Sequence, residues 1–190
     1  MTSKLLKISG WLAMLSAFFT LPLVYLSYTL DSRGDIITTV IQSVIALFGA
    51  ILFTLIVLCL KKFINSFFKF YTIDRYLDLM IAANIIIAVL TLIALYVTQL
   101  KESTEYVVLA IIVAQGIVQI QFGYKLLKLP NDLGGMLKPF CYATIATGLL
   151  MASVLLIPLG IVVSAVSDLM LGTIFLNMGT LVRNYEVKRI

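Results

Sequence analysis

The residues of this chain that could do chemistry are a few polar side chains within long apolar stretches. Asp168 is the one ionisable residue well inside such a stretch. An ionisable residue within a membrane-spanning segment is costly and is by default a candidate proton or cation site. The amides in comparable positions are Gln42, Asn84, Gln115, Gln119 and Asn177. These six residues form the candidate polar intramembrane site, either as a polar transit path or as hydrogen bonds that hold helices together.

Asp168 should point into the interior of a helical bundle, because an unpaired carboxylate in hydrocarbon is costly. We expect its carboxyl group to be hydrogen-bonded or protonated. Counted from the predicted outer ends of their helices, Gln42 and Asp168 lie at nearly equal depth at about 1.5 Å per residue. Gln42 could therefore supply an amide donor, and Ser164 or Ser167 a hydroxyl.

The other amides form two further pairs. Asn84 and Asn177 match in depth near the predicted cytoplasmic side. Gln115 and Gln119 are four residues apart, so they lie on one helical face near the middle of a span. Interhelical amide hydrogen bonds contribute only about 0.6–2 kcal/mol each, but they select one arrangement of helices.

The usual residues of catalysis and metal binding are scarce. The sequence has no histidine, so the commonest general base and the imidazole metal ligand are both missing. Its two cysteines cannot form a disulfide framework or a usual zinc site. It contains no Gly-rich phosphate loop and no GxSxG motif. We therefore expect no enzymatic activity, no metal, no cofactor and no nucleic-acid partner.

The composition identifies the setting of these residues. Of 190 residues, 62% are hydrophobic and 12% are charged, whereas a soluble domain has about 45–50% apolar and about 25% charged residues. The polar surface is too small to cover a water-soluble globule. The composition thus excludes a soluble enzyme, a nucleic-acid-binding module and a disordered chain, and indicates a multi-pass membrane protein.

Five apolar stretches, uncharged except for Asp168 in the last, are long enough for the roughly 20 residues of a membrane-spanning helix. The last, residues 139–182, is too long for one crossing and contains Pro158 and Gly160, which are typical turn residues. We therefore predict one domain over residues 1–190, an all-α bundle of six transmembrane helices in three hairpins, with a tight turn over 158–160. The predicted spans are residues 8–30, 36–60, 77–100, 106–124, 139–157 and 161–182.

The positions of the basic residues predict the topology. With six spans and a cytoplasmic N-terminus, twelve of the fourteen basic residues fall in inner segments, and only Arg33 and Lys101 fall outside. Lysine and arginine collect in cytoplasmic loops. A five-span arrangement would place Arg183, Lys188 and Arg189 outside. The charge distribution therefore favours six spans with both termini in the cytoplasm.

Two pairs of glycines recur at the same spacing. Gly116 and Gly123 are seven residues apart, as are Gly172 and Gly179. Glycines at this spacing share one helical face, where a neighbouring helix can approach closely. The two segments are either an internal duplication or simply two packing faces.

Residues 61–76 join the second and third spans with a two-sided pattern. Aromatic side chains such as Phe63 and Phe67 fall on one side of a helix, and Lys61, Lys62 and Lys69 on the other. The pattern is typical of an amphipathic helix in the membrane interface, with lysines at anionic lipid headgroups. Alternatively, the segment extends the second span and anchors it.

Two functional hypotheses remain. The first is a non-catalytic accessory, scaffold or assembly subunit that acts through helix faces on a membrane-protein partner or a second copy. The alternative is a small permease or channel that uses Asp168 and the intramembrane amides. The three-hairpin layout resembles several small bacterial six-helix membrane families, including acid-resistance membrane proteins, in architecture alone. It implies a bacterial inner-membrane location and no residue roles.

The topology is testable with reporter fusions. A fusion after Val182 and a fusion within residues 99–105 should report opposite sides of the membrane, the first cytoplasmic and the second external. The physical reason is the clustering of basic residues in the inner segments. An external C-terminus would contradict six spans and favour five.

Overall fold

The computed structural model describes residues 2–31 and 35–187, without the side chains of Asp31, Thr98 and residues 183–187. The predicted outer turn around Arg33, and Lys188 and Arg189, lie outside the described residues, as does the Arg183 side chain. The described chain is all-helical, without strands, as predicted. Its helices are α1 (Ser3–Asp31), α2 (Ile36–Phe68), α3 (Asp74–Tyr96), α4 (Lys101–Leu126), α5 (Leu137–Ala152) and α6 (Ile157–Val187).

Five of these helices, α1 to α4 and α6, are long and apolar enough to cross a membrane. Such helices are those of an integral membrane protein, because a helix satisfies its own backbone hydrogen bonds where water is absent. α5 is also apolar but has only 16 residues.

The six described helices contact one another in a closed ring. Each packs against the next along the chain, and α6 returns to pack against α1. Within the described ranges, the backbones of no other two of these helices come this close, and side chains alone bridge the interior. Because neighbours are antiparallel, one end of the ring gathers the basic residues and is called the basic end: Lys4, Lys7, Lys61, Lys62, Lys69, Arg75, Lys125, Lys128 and Lys138.

Glycines bring α4 and α5 into backbone contact. A Cβ atom on Gly116 would lie 2.7 Å from the carbonyl oxygen of Gly148, and one on Gly148 would lie 2.5 Å from that of Gly116. A Cβ on Gly123 would lie 3.0 Å from the carbonyl oxygen of Cys141. Any larger residue would force the helices apart at these positions.

A second glycine seam joins α1 to α6 and closes the ring. Gly172 approaches Gly10, since a Cβ on either would lie 3.0 Å from the other's carbonyl oxygen. Nearer the basic end, the hydroxyl of Ser3 donates a hydrogen bond of 2.6 Å to the carbonyl oxygen of Gly179. The two glycine pairs of the sequence therefore face different partners: Gly116 and Gly123 face α5, while Gly172 and Gly179 face α1.

The interior of the basic end is filled by large buried side chains. Phe63 and Phe175 are fully buried, and their rings meet edge to face with centroids 5.6 Å apart. Such pairs stabilise a core by about 0.5–1.5 kcal/mol beyond the burial of their area. We call the buried layer at this end the apolar plug: Leu60, Phe63, Leu77, Phe122, Phe140 and Phe175.

The turn between the last two helices lies earlier than predicted. α5 ends at Ala152 and α6 begins at Ile157, so Pro158 and Gly160 are helical, and the turn predicted at 158–160 is wrong. Proline is tolerated in the first helical turn, where its missing N–H would have no intrahelical partner. Here it marks the start of α6, and the turn is made at 153–156, where Val154 has a positive φ of 55°.

The separate interfacial helix predicted over residues 61–76 is absent. α2 continues without interruption from Ile36 to Phe68 and ends where Lys69 adopts the left-handed conformation. Phe63 and Ile64 are fully buried against the other helices. These side chains therefore pack into the bundle and do not lie on its surface, and the segment extends the second span.

Other helix boundaries differ from the predicted spans by a few residues. α3 ends at Tyr96 rather than at 100, and a short 3₁₀ helix, Thr98–Leu100, follows. α4 begins at Lys101, so most of the predicted outer turn 99–105 is helical. Charged residues in this first turn did not prevent helix formation, since Glu102 lies where the helix dipole favours a negative charge.

The glycine contact between α4 and α5 predicts that alanine has different effects at two positions. Gly148→Ala should destabilise the protein by about 1–3 kcal/mol, because the added methyl group overpacks the α4–α5 contact. Gly49→Ala on α2 should be neutral or stabilising by up to about 1 kcal/mol, because alanine is the better helix former. A Cβ on Gly49 would have no neighbour within 4 Å. Unfolding midpoints in detergent compare the two, and equal stability would contradict the seam.

Candidate functional site

The ring of helices surrounds a partly open central cavity of about 550 Å³ that all six helices line. Four residues of the apolar plug, Leu60, Leu77, Phe122 and Phe140, form its floor toward the basic end. In the other direction its lining reaches Ser27 on α1. The cavity is therefore closed at the basic end and extends toward the opposite end of the bundle.

Asp168 lines this cavity. The hydroxyl of Ser16 on α1 donates a hydrogen bond of 2.9 Å to its Oδ2 atom, across the α1–α6 seam. Asp168 is also the only titratable side chain among the described residues that line the cavity. A single acidic group therefore sets the charge of the chamber.

The predicted serine partners of Asp168 are engaged elsewhere. The hydroxyl of Ser164 donates to the carbonyl oxygen of Ile161, one turn earlier in α6. The hydroxyl of Ser167 is 3.2 Å from that of Thr144 on α5. Sequence reasoning missed Ser16, whose pairing with Asp168 links the first and last helices.

Other hydroxyl groups in the cavity also donate to protein oxygens. Thr20 donates to the carbonyl oxygen of Ser16 at 2.7 Å, and Thr147 donates to that of Ala143 at 2.9 Å. Such bonds turn a hydroxyl hydrogen toward the helix and leave oxygen lone pairs for the cavity. These hydroxyl groups therefore present acceptors to the cavity.

Gln115 and Gln119, predicted to share a face of α4, both line the cavity. Gln119 carries a buried Oε1 atom without a hydrogen-bond partner. Buried polar atoms are nearly always paired, and an unpaired acceptor is a place where a water or a ligand donor belongs. Gln115 also borders a second, shallower groove between α3 and α4.

The remaining three amides are dispersed. Asn84 lines the cavity and donates to the carbonyl oxygen of Ala50 on α2 at 3.0 Å. Gln42 instead donates to the carbonyl oxygen of Ser27 on α1 at 3.2 Å, outside the cavity lining. The side chain of Asn177 is exposed on α6. The structure thus brings Asp168, Asn84, Gln115 and Gln119 to one chamber, but neither Gln42 nor Asn177.

The lysines assigned to lipid headgroups have different surroundings. Lys61 forms an ion pair with Asp78 on α3, with Nζ 2.6 Å from Oδ1. Lys62 and Lys69 are exposed at the basic end, where a headgroup could approach them. Lys61 therefore ties α2 to α3, and Lys62 and Lys69 are the better candidates for lipid contact.

Comparison with known proteins identifies no relative of this chain. No family model matches the chain, and neither a curated protein nor a solved structure matches it.

The Ser16–Asp168 hydrogen bond predicts energetic coupling between α1 and α6. A double-mutant cycle of Ser16→Ala and Asp168→Ala should give about 0.6 kcal/mol, and at most about 1.7 kcal/mol, of interaction energy in unfolding measurements. Ser164→Ala is the matched control, because that serine lies one turn from Asp168 but bonds its own helix. Additive effects for Ser16 and coupling for Ser164 would contradict the assignment.

Proposed function

We propose that this protein is a small permease of the inner membrane that uses Asp168 as its proton or cation site. The observation that carries the proposal is the closed ring of helices around a cavity that holds one carboxyl group. Ligand and ion sites of helical bundles are built from side chains on facing helices around such an interior. An ionisable residue that faces an interior cavity is typical of proton and ion pathways.

The same proposal assigns the orientation. All six helices cross the bilayer, both termini are cytoplasmic, and the basic end faces the cytoplasm, in keeping with the positive-inside rule. The apolar plug then separates the cavity from the cytoplasm, while the cavity extends toward the outside. In alternating-access terms this is the arrangement of a state closed to the inside.

The α5–α6 turn supports a crossing by the short helix α5. Its residues are apolar and exposed, above all Leu155, whose side chain is 90% exposed, with Val154 and Leu156 beside it. A turn of this composition is stable against lipid rather than water. A place for the turn within the outer leaflet therefore agrees with its sequence.

The accessory-subunit hypothesis has less support in the geometry. Its main surface was the pair of glycine faces, but Gly116, Gly123, Gly172 and Gly179 all pack against helices of the same chain. These faces are therefore not free for a partner. A stable co-purifying membrane protein, together with no flux through the pure protein, would restore that hypothesis.

Transport through the cavity is testable in proteoliposomes. Asp168→Asn should reduce proton or cation flux to the rate of protein-free vesicles, because the amide keeps the shape of the carboxyl group but cannot carry a charge. Asp132→Asn is the matched control, since Asp132 lies exposed in the connection between α4 and α5. Full flux through Asp168→Asn would exclude Asp168 as the site.

Occlusion gives a second test that leaves Asp168 intact. Gly49→Phe should block flux, because the new ring projects from α2 into the cavity, where Gly49 has open space. Gly49→Ala adds only one methyl group and should preserve flux. Unfolding midpoints of both variants verify that each is folded, and unblocked flux through Gly49→Phe would place the path elsewhere.

A further inference from the structure

We propose that the cavity binds a hydrophobic amine in its protonated form, an ammonium with at least one N–H on a compact apolar body. As the substrate class of the permease, this assignment rests on the proposed function; as a binding site, it stands on the cavity alone. It follows from the size of the cavity, its lining, its charge and its hydrogen-bonding groups.

The dimensions and lining favour an organic molecule over an inorganic ion. Small-molecule sites are typically clefts of about 300–1,000 Å³ with apolar walls and a few polar groups, and this cavity has about 550 Å³. Calcium requires about six to eight oxygen ligands, and magnesium an octahedral shell. The cavity offers one carboxylate against walls that are mostly apolar.

The charge of the cavity selects the sign of the ligand. No lysine or arginine is among the described residues that line it, so a bound anion would face Asp168 without a counter-charge. A cation forms a charge-assisted hydrogen bond with the carboxylate, which is about twice as strong as a neutral one. The lining also holds five phenylalanines, Phe19, Phe48, Phe53, Phe122 and Phe140, and aromatic faces attract cations.

The hydrogen-bonding groups select a ligand that donates. The hydroxyls of Ser16, Thr20, Thr147 and Ser164 all donate to protein oxygens. The Oε1 atom of Gln119 is buried without a donor, and Asp168 accepts from Ser16 through one oxygen. An ammonium N–H can donate to either acceptor, whereas a quaternary ammonium has no hydrogen to give.

The test compares four adamantane derivatives of nearly equal apolar volume in nanodiscs that contain the full-length protein. They bear a primary ammonium, a trimethylammonium, a hydroxyl or a carboxylate group. We expect the primary ammonium to bind wild type about tenfold or more tightly than the other three, because only it brings both the charge and the N–H donor. Equal affinities for the ammonium and the alcohol would overturn the proposal.

Two variants locate the site. Asp168→Asn should weaken binding of the primary ammonium by about tenfold or more and leave the alcohol unchanged, and Asp132→Asn should change neither. Gln119→Leu replaces the amide with an apolar side chain of similar size and so removes the acceptor. It should weaken binding of the primary ammonium more than binding of the trimethylammonium. Unaltered ammonium binding by both Asp168→Asn and Gln119→Leu would place the amine outside this cavity. The comparison of the four compounds uses the wild-type protein, so it does not depend on whether a variant folds.

The binding experiment tests the ligand class and the flux experiment tests the permease, so either proposal can fail without the other. Flux that depends on Asp168, without selective binding of the primary ammonium, would overturn the ligand class and leave the permease. Selective binding that depends on Asp168, without movement of the amine or of protons across liposomes, would overturn the permease and leave the ligand site.

Discussion

The close approach of α1 and α6 is the contact on which the rest of the structure depends. These are the first and last helices of the chain, and their backbones meet at Gly10 and Gly172. In lipid, helices associate by packing and interhelical hydrogen bonds rather than by the hydrophobic effect, so small residues decide which backbones can touch. Without this seam the six helices would form an open row. With it they form a ring with an inside, and Ser16 reaches Asp168 across it.

The ring explains how a carboxyl group is retained in so apolar a chain. Asp168 lines a shared interior, and the other polar groups around that mostly apolar interior are hydroxyls and amides. Many of their hydrogens are directed to carbonyl oxygens of their own helices, which stabilises each helix separately. The walls of the cavity are mostly apolar, and its few polar groups are not used up by hydrogen bonds to one another.

The sequence predicted the helical class and most helix positions because both follow from the length of the apolar stretches, to which every residue of a span contributes. It also selected Asp168, Asn84, Gln115 and Gln119, since a polar residue in an apolar run is conspicuous. Pairings across the bundle were not predictable in the same way. Gln42 was matched to Asp168 by counting from outer ends taken as level, but α1 continues for fifteen residues beyond Ser16 and α6 begins only eleven before Asp168. Gly49 has no functional side chain, so the sequence did not predict that it lines the cavity.

The shortness of α5 has a consequence for the surrounding lipid. A helix of 16 residues rises about 24 Å, at about 1.5 Å per residue, whereas the hydrocarbon layer is about 30 Å thick. In the proposed arrangement, in which α5 crosses the bilayer and its following turn is apolar, the mismatch would be relieved by local thinning of the outer leaflet beside α5 and not by exposure of the turn to water. That arrangement would give the protein a preference for thin bilayers on one side of its ring, and lipid chain length would then act on the wall of the cavity.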